Sequence, residues 1–379
     1  MSDTGKLGVL LVSLGQLNEL LLKLLARSSF VREIVVATRN VSRALPALNL
    51  ARMAAGAEEF FPILRAVSLD FNQTEPAAEA LAELRPEVTF AAPSLQSWWV
   101  LDRLPPPAAE PLRAAGFGAW LPFHLAPMIR LMRAWRESGL SSPIISAPYP
   151  DVVNPILSFK GLAPTCGAGN LDEIVPKLRW RVGEELSVSP EEVRVRLVGH
   201  HALEKYVYRS SPTDELPPPY LLRIEIGGRK LGDALDAPAM LFEPYPLSQG
   251  LEFHHLTAGS ALRLLGAFGA GPKKKIHLHV PAPHGLPGGY PVVVEDGRVE
   301  LDLAPEWTRQ QAVEVNRASH RWDGIESLEP DGTVVFTGET SAVLRENLAF
   351  DFPRLRFEDV EAAAEELRRR FQEYIRRLD

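Results

Sequence analysis

The hydrophobic positions at the start of the chain change their spacing twice. Residues 6–13 form a short apolar run, partly β-branched, that predicts a buried strand. Over 16–27 the leucines recur at helical spacing and fall on one face, and 33–38 is again a continuous apolar run. Strand, tight turn, helix and strand in this order make one parallel βαβ unit.

This alternation continues through the first 150 residues. The predicted elements are a helix over 44–55, a strand over 65–69, a helix over 76–84, a strand over 88–92, a helix over 122–138 and a strand over 143–147. The pattern predicts an α/β fold with a Rossmann-type, doubly wound parallel sheet. Such a sheet binds its ligand at the carboxyl ends of the strands.

Beyond residue 163 the pattern becomes a mixture of helices and strands with proline-rich loops. The predicted elements are a helix over 172–186, strands over 192–198 and 219–226, a helix over 258–267, strands over 276–280 and 290–294, and a helix over 359–378. We therefore predict a dinucleotide-binding domain over 1–163 and an α+β catalytic domain over 164–379. The apolar stripe of the last helix is expected to pack against the same chain.

Composition narrows the class of protein. The 379 residues, 46% of them hydrophobic, suffice for two cores. The net charge of -7 is evenly spread, and the basic trio over 273–275 is typical of a solvated loop, so no nucleic-acid partner is expected. The single cysteine, Cys166, favours a reducing compartment. A secretory pattern and an apolar stretch of roughly 20 residues are both missing, which predicts a cytoplasmic protein without a membrane span.

The turn between the first strand and the first helix is a candidate dinucleotide site. Its sequence, Ser-Leu-Gly-Gln-Leu-Asn over 13–18, keeps only the middle glycine of the G-x-G-x-x-G pattern. Glycines in this turn let the backbone approach a pyrophosphate at the helix N-terminus. Because the strand-to-helix context is the required one, Ser13, Gly15, Gln16 and Leu17 are predicted to contact a cofactor.

The residues after the second strand bear on the choice between NAD and NADP. Thr38 stands where an NAD site usually has an acidic residue, and Arg39 and Arg43 follow it. A guanidinium holds a 2′-phosphate in a bidentate manner, whereas a carboxylate would repel it, so this segment favours NADP over NAD. The alternative is that both arginines face solvent at a helix start. The predicted cofactor residues at the ends of later strands are Ala92, Pro93 and Tyr149.

Three segments of the second half resemble the lactate/malate dehydrogenase family. Residues 167–172 are similar to its glycine-rich turn before L-D-x-x-R, and 280–303 to its late strand pair. Residues 176–201 are similar to its R-x-R helix, L-G-V-x-P turn and I-G-E-H-G-D-S strand end. The resemblance implies a Rossmann domain followed by a lactate/malate dehydrogenase-like C-terminal domain. It also implies that His201 is the catalytic histidine, Lys177 replaces the arginine that binds the substrate carboxylate, and Thr257 adds a pocket hydroxyl.

The chemistry of hydride transfer leads to the same residues. A carbonyl that accepts a hydride needs a proton donor with a pKa near neutrality, and histidine is the natural choice. That histidine needs a carboxylate to fix its tautomer, and Asp172 is the candidate. Lys177 would hold an acidic substrate group, without the fork of an arginine. His200 adjoins His201, and the sequence leaves open which of the two faces the cleft.

Several positions depart from the family pattern. Asp172 lies five residues before Lys177, where the family has three, and Tyr149 replaces the asparagine of an N-P-x-D turn. The loop over 94–119 contains Arg103 and Arg113, but no clear counterpart of the family's substrate-polarising arginine. These departures argue against lactate and malate as substrates.

The same loop contains two tryptophans, which the family pattern does not predict. Trp98 and Trp99 either wall a larger, flatter substrate or pack beneath the loop. The preferred hypothesis is an NADP- or NAD-dependent oxidoreductase acting on a carbonyl or hydroxyl compound, an acid other than lactate or malate. Since related enzymes assemble as dimers or tetramers, a homo-oligomer is expected.

Two alternatives remain from the sequence. NAD- and metal-dependent glycoside hydrolases share this fold and bind a metal through a cysteine and a histidine, which Cys166 with His200 or His201 would imitate. The preferred hypothesis has no metal, although further histidines at 254, 255, 277, 279 and 284 leave that question open. The second alternative is a degenerate Rossmann protein that senses a nucleotide without catalysis.

Overall fold

The computed structural model describes residues 6–211, 213–231, 236–248, 250–271 and 273–378. The first half forms a parallel sheet whose strands are β1 (Leu7–Val12), β2 (Val31–Thr38), β3 (Ile63–Ser68), β4 (Val88–Ala91), β5 (Ile144–Ser146) and β6 (Cys166–Gly167). Their spatial order is β3-β2-β1-β4-β5-β6, and every neighbouring pair is parallel. This is the strand order of a doubly wound dinucleotide-binding sheet, so the predicted fold class is confirmed.

Helices cover both faces of this sheet. They are α1 (Gln16–Leu25), α2 (Val41–Ala57), α3 (Thr74–Leu84), α4 (Pro106–Ala114), α5 (Leu121–Glu137) and α6 (Pro150–Phe159). Alternate residues of β1 enter two different cores: Val9 and Leu11 belong to one, Leu10 and Val12 to the other. A strand buried on both faces must be apolar at successive positions, which explains the uninterrupted apolar runs of the sequence.

The second half combines helices with three small antiparallel sheets. The helices are α7 (Leu171–Leu186), α8 (Glu204–Val207), α9 (Ala237–Phe242), α10 (His254–Phe268), α11 (Arg309–Ser319), α12 (Gly338–Leu348) and α13 (Val360–Arg376). The strands are β7 (Val193–Val198), β8 (Leu221–Ile226), β9 (Arg229–Lys230), β10 (Ile276–Pro281), β11 (Gly289–Glu295), β12 (Arg298–Leu301), β13 (Ile325–Leu328), β14 (Val334–Phe336) and β15 (Arg354–Leu355). The sheet orders are β7-β8-β9, β10-β11-β12 and β13-β14-β15. The expected α+β composition of this half is confirmed.

The chain returns to the first half at its end. Val360, Ala363, Leu367 and Phe371 of α13 are buried in the same core as α5, and the Phe371 ring lies edge-on to Trp120 at 5.1 Å. The expected packing of the last helix against its own chain is therefore confirmed. This core contains residues from both ends of the chain, and β6, which belongs to the first sheet, lies past residue 163. The predicted domain boundary at 163 therefore does not separate two independent cores. Among the described helices, none is long and apolar enough to cross a membrane.

Candidate active site

A cleft of about 1530 Å³ opens where β1, β2, β4 and β5 end, and it extends to the second half of the chain. It brings together all ten residues predicted to contact a cofactor: Ser13, Gly15, Gln16, Leu17, Thr38, Arg39, Arg43, Ala92, Pro93 and Tyr149. His201 and Thr257 line the same cleft. Their placement follows from the sheet, since the carboxyl ends of parallel strands share one edge.

The turn between β1 and α1 is open to an anion. Gly15 is the N-cap of α1, and no side chain caps this helix, so its first N–H groups are free to bind a ligand. Ser13 takes the place of the first glycine of the pattern and has φ +71°. Asn18 takes the place of the third glycine, is buried, and donates from Nδ2 to the carbonyls of Val12 and Ser13 at 2.9 Å each. A polar side chain thus holds the turn that glycines usually form.

The segment after β2 presents two guanidinium groups. Thr38 Oγ1 accepts the Asn40 N–H at 3.3 Å, and Asn40 Oδ1 in turn accepts the Arg43 N–H at 3.0 Å, which caps α2. The side chains of Arg39 and Arg43 are exposed and enter no ion pair among the described residues. Both therefore keep their donors for a ligand phosphate.

The imidazole of His201 lies between two buried carboxylates. His201 follows β7, and its Nε2 is 3.2 Å from Oδ2 of Asp323, while its Nδ1 is 3.7 Å from Oδ2 of Asp151. The Tyr149 hydroxyl donates to the same Asp323 oxygen at 2.6 Å. The backbone of Gly116, which has φ +78°, packs directly against that of Asp323 and helps to hold it in place. The space is too small for a side chain, because a Cβ on Gly116 would lie 2.6 Å from the Asp323 carbonyl oxygen.

Burial shifts the pKa values of the acidic side chains around His201. It raises the pKa of Asp151 to about 7, although His201 opposes the shift, and it raises the pKa of Asp323 against the opposing effects of His201 and Tyr149. Burial and the neighbouring Asp323 raise the pKa of Tyr149 well above its usual value, so its hydroxyl stays a donor at neutral pH. The Tyr149 hydroxyl and the Asp151 carboxyl group can therefore hold a proton close to the imidazole at neutral pH.

His200 points away from the cleft. Its side chain is completely buried, and its Nδ1 accepts the Ala202 N–H at 3.4 Å. Burial lowers the pKa of His200 well below its usual value, so it is neutral. Of the two adjacent histidines, His201 is therefore the one that a ligand in the cleft can reach.

Asp172 does not partner His201, which corrects the sequence prediction. Its Oδ1 lies 2.8 Å from Nη1 of Arg263 and accepts the His279 N–H at 3.3 Å. The second residue of α7 projects toward α10 and β10, outside the residues that line the cleft. The carboxylates beside His201 are instead Asp323 and Asp151, of which Asp151 lies in the Pro-Tyr-Pro-Asp turn that the sequence had singled out.

Lys177 does not reach the cleft either, and its predicted role is likewise corrected. Its side chain is buried, and Nζ donates to the carbonyls of Val207, Leu241 and Glu243 at 3.1, 2.8 and 2.8 Å. All three ammonium donors are thus used within the fold. Thr257 does line the cleft, and its contact with substrate stays a prediction.

Two glutamates that the sequence did not single out also line the cleft. Glu173 in the first turn of α7 and Glu204 at the start of α8 both line it. Burial raises the pKa of Glu173 to about 7, and burial together with Glu173 raises the pKa of Glu204 well above its usual value. No spacing signal identifies this pair, because its members lie on separate helices.

Aromatic rings form another wall. The Phe117 ring lies 5.4 Å from His201, 4.7 Å from Tyr149 and 5.4 Å from His124, centroid to centroid, and Trp98 packs on Phe117 at 5.2 Å. Trp98 therefore both packs beneath its loop and lines the cleft.

The loop over 94–119 also crosses to the second half of the chain. Trp99 Nε1 donates to His254 Nε2 at 3.3 Å. Of the two arginines in the loop, Arg113 lines the cleft and pairs with Asp102, whereas Arg103 does not line it. Since the Arg113 guanidinium is engaged by that carboxylate, it is not an unpaired counterpart of a substrate-polarising arginine.

Cys166 belongs to no candidate metal cluster of three or more ligands among the described residues. Cys166 is completely buried in β6, burial raises its thiol pKa, and the described residues with ligand atoms close enough for a metal are Asp151, His200 and His201 only. The later histidines are used within the fold: His277 lies 3.1 Å from Asp302, His279 accepts the Leu197 N–H at 3.1 Å, and His284 lies 2.7 Å from the Val299 carbonyl.

No protein-family model and no curated protein matches the chain. Among solved structures, a lactate dehydrogenase (MGS-M5) from a Medee basin deep-sea metagenome library is similar, with a TM-score of 0.55, 10% identity, and 84% of this chain and 96% of that one covered. The minor L-lactate dehydrogenase of Enterococcus mundtii, in a ligand-bound form, has a TM-score of 0.53, 13% identity and the same coverage of 84% and 96%. The fold is that of lactate dehydrogenases, which confirms the architecture implied by the sequence resemblance.

Proposed function

We propose that the protein is a nicotinamide-dependent oxidoreductase that reduces a carbonyl compound or oxidises the corresponding alcohol. The observation that carries the proposal is one continuous cleft, which joins the uncapped N-terminus of α1, the arginines after β2 and the imidazole of His201. The two solved structures with this fold are described as lactate dehydrogenases, which supports the same class of reaction.

The residues present fit a dinucleotide. The pyrophosphate would lie on the free N–H groups at Gly15, Gln16 and Leu17, where a Cβ on Gly15 would meet open space in the cleft. Arg39 and Arg43 would hold a 2′-phosphate, which favours NADP over NAD. The bound nicotinamide supplies or accepts the hydride, and the chain's own residues handle the proton.

The proton would pass between the substrate oxygen and the group formed by His201, Asp323, Asp151 and Tyr149, in which each imidazole nitrogen lies beside a carboxylate. Asp323 and the Tyr149 hydroxyl fix the imidazole, and Asp151 adds a second negative charge on its other side. A carboxylate in this position selects the tautomer of the histidine and stabilises the imidazolium form. Phe117 and Tyr149 pack around the ring and limit the access of water.

The test is turnover with the two histidine variants His201→Gln and His255→Gln. Oxidation of NADPH is followed with a panel of carbonyl compounds, and binding of NADPH is measured separately by its fluorescence. The proposal predicts that His201→Gln binds NADPH normally and loses turnover, whereas exposed His255→Gln behaves as wild type. Nucleotide binding without any turnover in the wild type would instead favour the sensor alternative.

A further inference from the structure

A pair of carboxyl groups lines the cleft without a cationic partner. The Glu173 side chain is buried, with 4% of the residue exposed, and its carboxyl group is within hydrogen-bonding contact of Glu204 and of Thr257. Gly169, which has φ +94°, packs closely against the Glu173 carboxyl group: a Cβ on Gly169 would lie 2.7 Å from Glu173 Oε1. The pair is thus part of the cleft wall.

The basic side chains nearest in sequence are already engaged. Lys205 pairs with Glu215 at 2.9 Å, Arg209 donates to the Phe242 carbonyl at 2.7 Å, and the Lys177 ammonium is bound by three carbonyls. No described ion pair includes Glu173 or Glu204. Asp151 and Asp323 raise the pKa of Glu204 further, His201 acts against the shift of Glu173, and neither glutamate forms an ion pair with the Arg209 guanidinium that also lines the cleft.

An unpaired oxygen on the same wall points independently to a ligand with hydrogen-bond donors. Asn170 lines the cleft, is 5% exposed, and has no hydrogen-bond partner for Oδ1. Its Nδ2 donates to Asp151, which fixes the amide so that the oxygen is the atom left free. A buried acceptor without a donor is costly, and a bound N–H group would satisfy it.

Aromatic rings stand beside the carboxylates. Tyr208 donates its hydroxyl to the Glu173 carbonyl, and its ring lies 6.0 Å from that of Phe253, which in turn lies 6.4 Å from Trp99. All three rings line the cleft. The faces of aromatic rings attract cations, whereas they offer no comparable attraction to anions.

We propose that this wall binds an ammonium group of the substrate, so that the compound reduced or oxidised at His201 carries an amine. A bound ammonium group would favour the ionised form of the carboxyl pair and donate to oxygens of Glu173, Glu204 and Asn170, whereas a carboxylate would oppose their ionisation. The acidic substrate expected from the sequence depended on Lys177, which is bound elsewhere. This inference rests on the proposed oxidoreductase function and specifies its substrate class.

The test uses three probes of one size: benzylamine, benzyl alcohol and benzoate. Binding to the full-length protein is measured by calorimetry, with and without NADPH. We expect benzylamine to bind more tightly than benzyl alcohol, and benzoate not to bind. Glu173→Gln and Glu204→Gln should each weaken benzylamine binding about tenfold or more, as expected for loss of a charge-assisted hydrogen bond. Glu185→Gln, an exposed site on the same helix, should bind as wild type.

Preferential binding of benzoate, or benzylamine binding that survives Glu173→Gln, would overturn the assignment. So would Mn²⁺ binding that depends on Glu173 in a protein that does not bind benzylamine, because the missing countercharge would then be a metal. The NADPH titration separates the two proposals. Nucleotide binding without amine binding contradicts this inference alone, and amine binding without nucleotide binding contradicts the oxidoreductase function alone.

Discussion

His201 Nε2 and Asp323 Oδ2 are 3.2 Å apart, although the described elements between them along the chain include the four helices α8 to α11 and the five strands β8 to β12. The Asp323 carboxylate reaches His201 because the turn over 320–323 carries the chain back toward the first sheet. The same oxygen accepts the Tyr149 hydroxyl, so one carboxylate joins residues from both halves of the cleft.

This relationship predicts a kinetic pattern. If His201 exchanges the proton, His201→Gln lowers kcat about 10²–10⁴-fold. Asp323→Asn keeps the shape and removes the charge, and we expect it to lower kcat about 10²-fold with an unchanged KM for NADPH. Steady-state kinetics check both values, with His255→Gln as control. An unchanged kcat in Asp323→Asn would show that the contact is structural only.

Arg39 is predicted to select the nucleotide. Its exposed guanidinium has no partner among the described ion pairs, so it is free to bind a 2′-phosphate. Arg39→Ala should weaken NADPH binding about 10–100-fold, the effect of losing one charge-assisted bidentate contact, and leave NADH binding unchanged. Fluorescence titration of the two nucleotides measures this. Equal losses for NADPH and NADH would contradict the role in selectivity.

Lys177 is predicted to stabilise the fold without acting in catalysis. Lys177→Met leaves the buried carbonyls of Val207, Leu241 and Glu243 without their donor, which should lower the free energy of unfolding by about 2–4 kcal/mol. Denaturant unfolding checks the change, and Lys274→Met on the surface is the control. A variant with unchanged stability and a raised KM for substrate would restore the role implied by the family resemblance.

Glu173 is predicted to make stability depend on pH. Burial raises its pKa in the folded protein to about 7 from a reference value of 4.5, so the folded state holds a proton that the unfolded state has released. Stability contributed by this group therefore falls as pH rises from about 4.5 to about 7 and is constant above. Glu173→Gln lacks this contribution, although buried Glu204, with its raised pKa, still contributes a dependence in the same direction.

The measurement is the unfolding midpoint of both proteins between about pH 4 and about pH 8, a range that contains the whole transition. The midpoint of Glu173→Gln should rise relative to wild type as pH increases, and the difference should level off above about pH 7. Glu185→Gln should show no trend, and a constant difference for Glu173→Gln would mean that its carboxyl group is not perturbed.

The parallel sheet was predictable from the sequence because its strands are buried on both faces, whereas the helices that cover it are buried on one face only. Those two apolar patterns mark β1 to β5 within a few residues. Helices α4, α6, α8, α9, α11 and α12 were not predicted. Prolines lie inside α4 and α6, at Pro111 and Pro155, and α11 is mostly polar, so a periodic apolar signal is weak there.

The sequence was sufficient to predict the residues at the cofactor end of the cleft, but not the carboxylates that lie beside His201. Strand ends of one sheet meet at one edge, so Ser13, Thr38 and Ala92 share the cleft by topology alone. The carboxylate beside His201 is instead set by the packing of the turn over 320–323 against Gly116 and Gly118. Such a long-range contact leaves no spacing in the sequence, and the local candidate, Asp172, was wrong.

The central claim is that the cleft binds a nicotinamide dinucleotide. The most direct measurement is thermal unfolding of the wild-type protein with NAD, NADH, NADP, NADPH and no addition. A ligand that binds only the folded state adds about 2.7 kcal/mol at a hundredfold excess over its Kd. We predict that NADP and NADPH raise the midpoint more than NAD and NADH do. No change with any of the four would contradict the account.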